Sequence, residues 1–303
     1  MVIAGFAAPL LRRRVPAPPV VTQTVAFAAP VGLCIAVRRS RTRDVAVCCL
    51  QMWAYLAAYK TPHDDEQGQA QRVHIRYPIV ADRVLGLGEL PSVRLQQTLA
   101  RTGPDGLPRW TALDRVLVWA HWSWFAVPHG AILYIMLRHP QRFTRAATLT
   151  YAVFDIGASF YWVLPTAPPW YAATQGEAGE EALPVRRMMV EYGEFFWRDG
   201  WGSLYSVFGG NPLAAMPSLH FATSLMAASL LAETGRGPGM VGYGYLVTLG
   251  FALVYLGEHY LADLLGGVAL TVAVKRIAPL ATEPLRCAAG IVSRLEEMAH
   301  GEA

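Results

Sequence analysis

The chain has 303 residues, of which 53% are hydrophobic and 16% charged, with a formal net charge of +4. That balance marks a membrane protein. The positive charge rests on arginine, Lys60 and Lys275 being the only lysines, and no basic stripe with interleaved aromatics accompanies it, so nucleic acid is excluded as a partner. Cys34, Cys48, Cys49 and Cys287 show no C-x-x-C spacing. They read as small core hydrophobes, with neither a disulfide framework nor a metal cage.

Residues 1–19 carry Arg12-Arg-Arg14 and a proline-rich patch, and 20–37 form an apolar run of marginal spanning length. A basic start before an apolar run can be a signal peptide. Here no small-residue cleavage site precedes Arg38-Arg39 and a second apolar run follows at once, which favours a retained anchor. Pro30 leaves open whether 20–37 crosses fully. Six further apolar segments follow at about 44–59, 111–137, 146–165, 213–232, 240–257 and 260–274. The expected fold is an all-α, polytopic bundle with six core spans. Its domains are an N-terminal segment over 1–43, a membrane domain over 44–280 and a cytoplasmic tail over 281–303.

Arg38, Arg39, Arg41 and Arg43, then Arg138, Arg142 and Arg145, then Arg236, then Lys275 and Arg276 all fall on one side by parity. The positive-inside rule makes that side cytoplasmic. Residues 216–220 and 257–259 therefore face outward, at a plasma membrane. Two long outer segments remain. In 60–110, Tyr77–Arg83 and Leu90–Gln96 read as amphipathic helices on the membrane surface. The other, 166–212, is rich in Trp, Tyr, Gly and Glu, and should roof whatever site lies beneath.

Two runs carry chemistry: Asn211-Pro-Leu-Ala-Ala-Met-Pro-Ser-Leu-His220 and Leu256-Gly-Glu-His-Tyr-Leu-Ala-Asp263-Leu-Leu-Gly-Gly267. In the first, Pro217 suits the first position of a helix. Ser218, Leu219 and His220 would then offer first-turn N–H groups to an anion such as phosphate. In the second, His259 and Asp263 are four apart and share one face if the segment is helical. A carboxylate behind a histidine fixes its tautomer. A carboxylate inside an apolar segment is costly, and so functional by default. Gly266-Gly267 reads as a site of close helix packing.

Met216-Pro-Ser-Leu-His220 with His259-Tyr-Leu-Ala-Asp263 resembles the second and third signatures of the phosphatidic acid phosphatase type 2 superfamily. Leu219 before His220, together with Pro165-Thr-Ala-Pro-Pro-Trp-Tyr171, resembles more closely its inositol phosphorylceramide synthase branch. The resemblance runs from about Arg76 to Val274. It implies that His259 attacks phosphorus to form a phosphohistidine and that Asp263 orients it. His220 would protonate the leaving alcohol and then deprotonate the acceptor, which requires His259 neutral and His220 protonated at the start. The chain departs from the superfamily in lacking the first signature's Lys and Arg-Pro around 165–200. It also has Ala252 and Leu253 where the third signature usually has Ser-Arg. The phosphate-neutralising cation is thereby left open among Arg186, Arg187 and Arg198.

Pro168 and Tyr171 become candidate site-lining residues by the same resemblance, although a helix stop with interfacial aromatics explains Trp170 and Tyr171 as well. Asp155, His121 and His129 are intramembrane polar residues. Asp155 divides evenly between a headgroup pocket and interhelical hydrogen bonding, and the second reading is preferred for the two histidines. Three ligands from His220, His259 and Asp263 could hold a metal, but the helix-start cradle favours chemistry without metal or cofactor. The expected function is transfer of a phosphorylated headgroup, phosphoinositol among the candidates, from a phospholipid donor to a lipid alcohol. A lipid phosphatase using water is the alternative, and a lipid transporter or lipid-binding protein is the reading from another class.

Overall fold

The computed structural model describes residues 1–12, 14–15, 17–175, 183–208 and 210–301. Arg13 and Pro16 of the N-terminal patch, 176–182 and 209 of the second outer segment, and 302–303 of the tail lie outside the described residues. In chain order the helices begin with α1 (Val2–Leu11), α2 (Pro19–Ala36), α3 (Arg41–Lys60), α4 (Glu66–Arg72), α5 (Arg76–Leu85) and α6 (Pro91–Leu99). A two-residue hairpin, β1 (Arg101–Thr102) with β2 (Pro108–Arg109), interrupts them. Then come α7 (Ala112–Trp122), α8 (Ala126–Arg138), α9 (Pro140–Val163), α10 (Pro169–Gln175), α11 (Met188–Trp197) and α12 (Gly200–Phe208). The last four are α13 (Leu219–Ala232), α14 (Arg236–Tyr255), α15 (Leu261–Ile277) and α16 (Thr282–His300).

The chain divides into two compact units, residues 1–64 with 273–303, and residues 65–272. In the first, α2 packs between α1 and α3. Arg43 ties the unit together, donating to Glu296 at 2.7 Å and to the carbonyls of Cys34 and Val37. Helix α1 was not anticipated, because its support comes from packing along α2 and not from local signals. The cysteines are free thiols, and the expectation of small core residues fails for Cys49 and Cys287, which are exposed.

In the second unit α13 packs against α14, α9 and α8, while α14 also meets α7 and α6. A capping box starts α7: Asp114 N–H donates to Thr111 Oγ1 and Thr111 N–H to Asp114 Oδ2. The other Asp114 oxygen accepts Tyr255 O–H at 2.6 Å, pinning the end of α14. The apolar segment 111–137 is not one helix. It breaks at 123–125, where Pro128 in the first turn of α8 leaves no N–H for a continuous ladder. Arg142 and Arg145 both reach Glu233 beyond the end of α13. Two arginines of one cluster used to orient the chain thus meet this helix end. His220, thirteen residues away, is about 20 Å along the axis at the other end.

Among the described residues two helices, α2 and α14, are by themselves long and apolar enough to cross a membrane, and the bent pair α15 with α16 would make three. The other segments expected to span are present as helices or, for 111–137, as a helix pair.

Candidate active site

The first motif is held by backbone pairing to residues 165–168, which are themselves paired on both sides. Thr166 N–H donates to Leu213 C=O and Ala215 N–H to Thr166 C=O, while His74 bridges the other edge of the same short strand. Pro165-Thr-Ala-Pro168 is therefore the middle strand of a three-chain ladder leading into Met216. Tyr161 O–H donates to Pro217 C=O at 2.7 Å. Pro217, in cis linkage to Met216, is not the first helical residue. Ser218 takes the N-cap, its Oγ accepting Phe221 N–H, so α13 opens at Leu219. Nor is the Ser218 N–H open to an anion, since it donates to the Asp263 carbonyl at 3.0 Å. Leu219 and His220 retain the first-turn N–H groups. This contact needs α15 close to the loop, and Gly267 provides it: a Cβ there would lie 2.8 Å from the Ser218 carbonyl oxygen.

The second motif pairs His259 with Asp263, though not across a helix face. α15 starts only at Leu261, leaving His259 in the turn before it. Gly257 makes that turn with φ of +78°, and Glu258 and His259 both donate their N–H to Leu253 C=O. Asp263, in the first turn of α15, reaches back so that Oδ2 accepts Tyr260 N–H at 2.9 Å and His259 Nδ1–H at 3.2 Å. The carboxylate thus serves at once as helix cap and histidine partner, with both side chains buried. With its proton on Nδ1, His259 keeps a lone pair on Nε2. That atom lies 3.2 Å from His220 Nδ1, which must be the donor of the pair.

Of the three candidate cations, Arg187 is the one brought to this turn. It donates to both oxygens of Glu258, next to His259, and its guanidinium lies 3.6 Å over the Trp170 ring. Burial works against its charge, but the Glu258 carboxylate, helped by Tyr205, lifts its pKa above the ordinary guanidinium value. Arg186 is paired with Glu191 instead, and Arg198 sits exposed at the C-cap of α11.

Two residues escaped the sequence reading. Asp82 lies on α5 and Gln96 on α6, the helices expected to rest on the membrane surface. Both are buried, and the helices pack on the protein through Ile79, Leu90, Val93, Val185, Tyr260 and Ala262. Asp82 Oδ1 accepts Ala262 N–H at 3.0 Å, holding the start of α15. Burial lifts its carboxyl to about 6, the Ala262 N–H opposing and the Asp263 charge adding. Gln96 donates to the carbonyls of Arg186 and Tyr255 and accepts Arg186 N–H, each at 2.9 Å. It clasps the segment carrying Arg187 to the end of α14. A polar residue on a helix otherwise read as amphipathic was the available signal.

Among the remaining candidates, Pro168 is buried at the start of α10, where its carbonyl accepts the N–H groups of Tyr171 and Ala172. The Tyr171 ring meets Trp170 edge-on. Leu219 is buried against α9 at Gly157, two residues beyond the half-buried Asp155. The expected interhelical hydrogen bonds of the two histidines are not found among the described residues. His129 Nδ1 bonds Phe125 C=O within its own helix, and His121 stacks on His220 with centroids 5.0 Å apart and planes 25° apart. The Trp124 ring also lies against His220, with centroids 4.1 Å apart, and its Nε1–H donates to Thr223 Oγ1.

Comparison with known proteins places the chain in a family. The inositol phosphorylceramide synthase catalytic subunit aur1 of Schizosaccharomyces pombe is 30% identical over 122 residues, 38% of this chain and 28% of that protein. The phosphoinositol dihydroceramide synthase of Bacteroides thetaiotaomicron is 29% identical over 166 residues, 52% of this chain and 53% of that protein. The chain thus matches between about a quarter and half of these relatives' lengths. No solved structure matches it. Residues 105–277, more than half of the chain and including both histidine motifs, match the PAP2 superfamily, the phosphatidic acid phosphatase type 2 proteins, and the chain belongs to that family.

Proposed function

We propose that the protein is an integral membrane phosphotransferase that moves a phosphorylated headgroup, phosphoinositol by similarity to the two relatives, from a phospholipid to a lipid alcohol. The carrying observation is the chain Asp263–His259–His220, which leaves a lone pair on a buried, carboxylate-held imidazole facing a hydrogen-bond donor. In the first step His259 Nε2 bonds to phosphorus while the bond from phosphorus to the diacylglycerol oxygen breaks. His220 gives that oxygen its proton. In the second, the acceptor hydroxyl loses its proton to His220, its oxygen bonds to phosphorus, and the N–P bond breaks to restore His259. Arg187 is the proposed phosphate-neutralising cation, released from Glu258 as the anion binds. Leu219, Ser218, Pro168, Tyr171 and Asp155 form the surrounding wall, with Arg186 and Arg198 outside it. No metal takes part.

In this reading residues 44–280 form the membrane domain with six core spans, 1–43 precede it and 281–303 form a cytoplasmic tail. The site opens at the outer face of the plasma membrane. The convergence of Arg142 and Arg145 on Glu233, at the end of α13 opposite His220, supports that orientation. Superfamily membership keeps one rival in play, hydrolysis of a lipid phosphate with water as acceptor. Purified protein given phosphatidylinositol and ceramide separates the two. A new phosphodiester lipid that disappears in His259→Ala supports transfer; release of a water-soluble inositol phosphate and diacylglycerol with no new phosphodiester lipid supports hydrolysis.

A further inference from the structure

His121 is the third imidazole at this site, and the scheme above does not use it. It sits at the end of α7, just before the break at 123–125, with its ring stacked on His220. It also lies within electrostatic reach of His259, Glu258 and Arg187. Both ring nitrogens are shut off from solvent, and neither has a hydrogen-bond partner among the described residues. Stacking alone would be served as well by a phenyl ring, which carries no polar atoms to strand. Buried polar atoms are seldom left unpaired, and where they are, a ligand is a common reason.

The chemistry of the ring narrows the ligand. A neutral imidazole presents one N–H and one lone pair. Phosphate ester oxygens only accept, so phosphate alone would leave the lone pair unmatched. A hydroxyl both donates and accepts, and vicinal hydroxyls on one ring can meet both nitrogens together. We propose that His121 is a headgroup-binding residue that hydrogen-bonds the hydroxyls of a polyol phosphate, and so selects polyol-bearing donors at the histidine site. This rests on the phosphotransferase reading of that site.

The test compares phosphatidylinositol with phosphatidylmethanol, which keeps the phosphodiester and the tails but has no headgroup hydroxyl. Each is measured as substrate and as competitive inhibitor of the other, with wild type, His121→Phe and His121→Gln. His121→Phe should raise KM, or the inhibition constant, for phosphatidylinositol about 10-fold or more and change that for phosphatidylmethanol less than about 2-fold. His121→Gln, which keeps a donor and an acceptor, should recover part of the preference. Equal losses on both lipids, or no loss on either, would overturn the assignment. A second measurement needs no variant: with ring-labelled histidine, myo-inositol 1-phosphate should shift the His121 signals of the wild type and inorganic phosphate should not. Shifts of equal size with both would also overturn it. Failure of the phosphotransferase reading looks different, as wild-type protein would then make no new phosphodiester lipid from either donor.

Discussion

His220 Nδ1 and His259 Nε2 stand 3.2 Å apart, a hydrogen bond's length and too close to admit a phosphorus atom between them. The pair is therefore a closed resting arrangement in which the donor covers the lone pair. In the proposed transfer, attack needs nitrogen and phosphorus about 3–3.5 Å apart with the leaving oxygen on the far side. The rings must part, and His220, at a helix start beside the break between α7 and α8, is better placed to move than His259. In a vanadate complex the nitrogen–nitrogen distance should grow to about 5 Å or more. An unchanged distance with vanadate bound elsewhere would contradict this account of the pair.

Asp263→Asn should keep the helix cap but weaken the tautomer control of His259. The corresponding change in a serine protease triad costs about 10⁴-fold in rate. A loss of at least about 10³-fold is expected here, with the protein still folded. A loss within about 10-fold would show that Asp263 serves mainly as cap and as carbonyl partner of Ser218.

Asp82 gives the fold a pH dependence of defined sign. Its carboxyl is raised to about 6 in the folded protein, against about 3.9 when exposed. The folded state therefore holds the extra proton between these values. The stabilisation is full below about pH 4 and is lost as pH rises through about 6, where a buried carboxylate must form near Asp263. Thermal unfolding in detergent should show the melting temperature of wild type falling relative to that of Asp82→Asn across this window. Parallel curves would remove Asp82 from the account.

Gln96→Leu leaves the Arg186 N–H and the carbonyls of Arg186 and Tyr255 without their side-chain partner. Each stranded group costs about 1–3 kcal/mol where water cannot reach it. The expected result is a lower melting temperature together with weaker donor binding, because the released segment carries Arg187. Loss of stability with unchanged KM would separate Gln96 from the site.

Much of the site was legible in the sequence, and for a physical reason. A histidine and a carboxylate within apolar segments have few satisfactory environments except each other. His220, His259 and Asp263 are brought together as expected, and the close approach expected at Gly266-Gly267 is seen at Gly267. The geometry of the joins was not legible. The pairing of His259 with Asp263 arises from a glycine turn and a cap where a shared helix face was expected, and periodicity cannot distinguish the two. Pro217 fits a first helical position locally, yet the Ser218 hydroxyl captured the cap. Asp82 and Gln96 looked like the polar face of surface helices because their partners, Ala262, Tyr255 and Arg186, lie 90 residues or more away in sequence. His121 was misjudged for the same reason, its neighbour His220 lying on another helix.

Orientation can be tested with single cysteines in intact cells. Glu258 is a poor position because it is buried against Arg187. Leu87, 89% exposed in the turn after α5, is the better outer marker, and Thr144 at the start of α9 is the inner one. A membrane-impermeant thiol reagent, with the native exposed cysteines replaced, should label Leu87→Cys and spare Thr144→Cys. The opposite pattern would reverse the orientation and move the substrate to the other leaflet.

The central claim, covalent catalysis by His259, is tested most directly by trapping the intermediate. Protein mixed with a donor labelled at phosphorus and quenched in alkali, where phosphohistidine survives, should carry label on the peptide containing His259. The label should persist in EDTA, vanish in His259→Ala, and accumulate when the lipid alcohol is withheld. Label on His220, or full turnover by the wild type with no label on His259, would contradict the account.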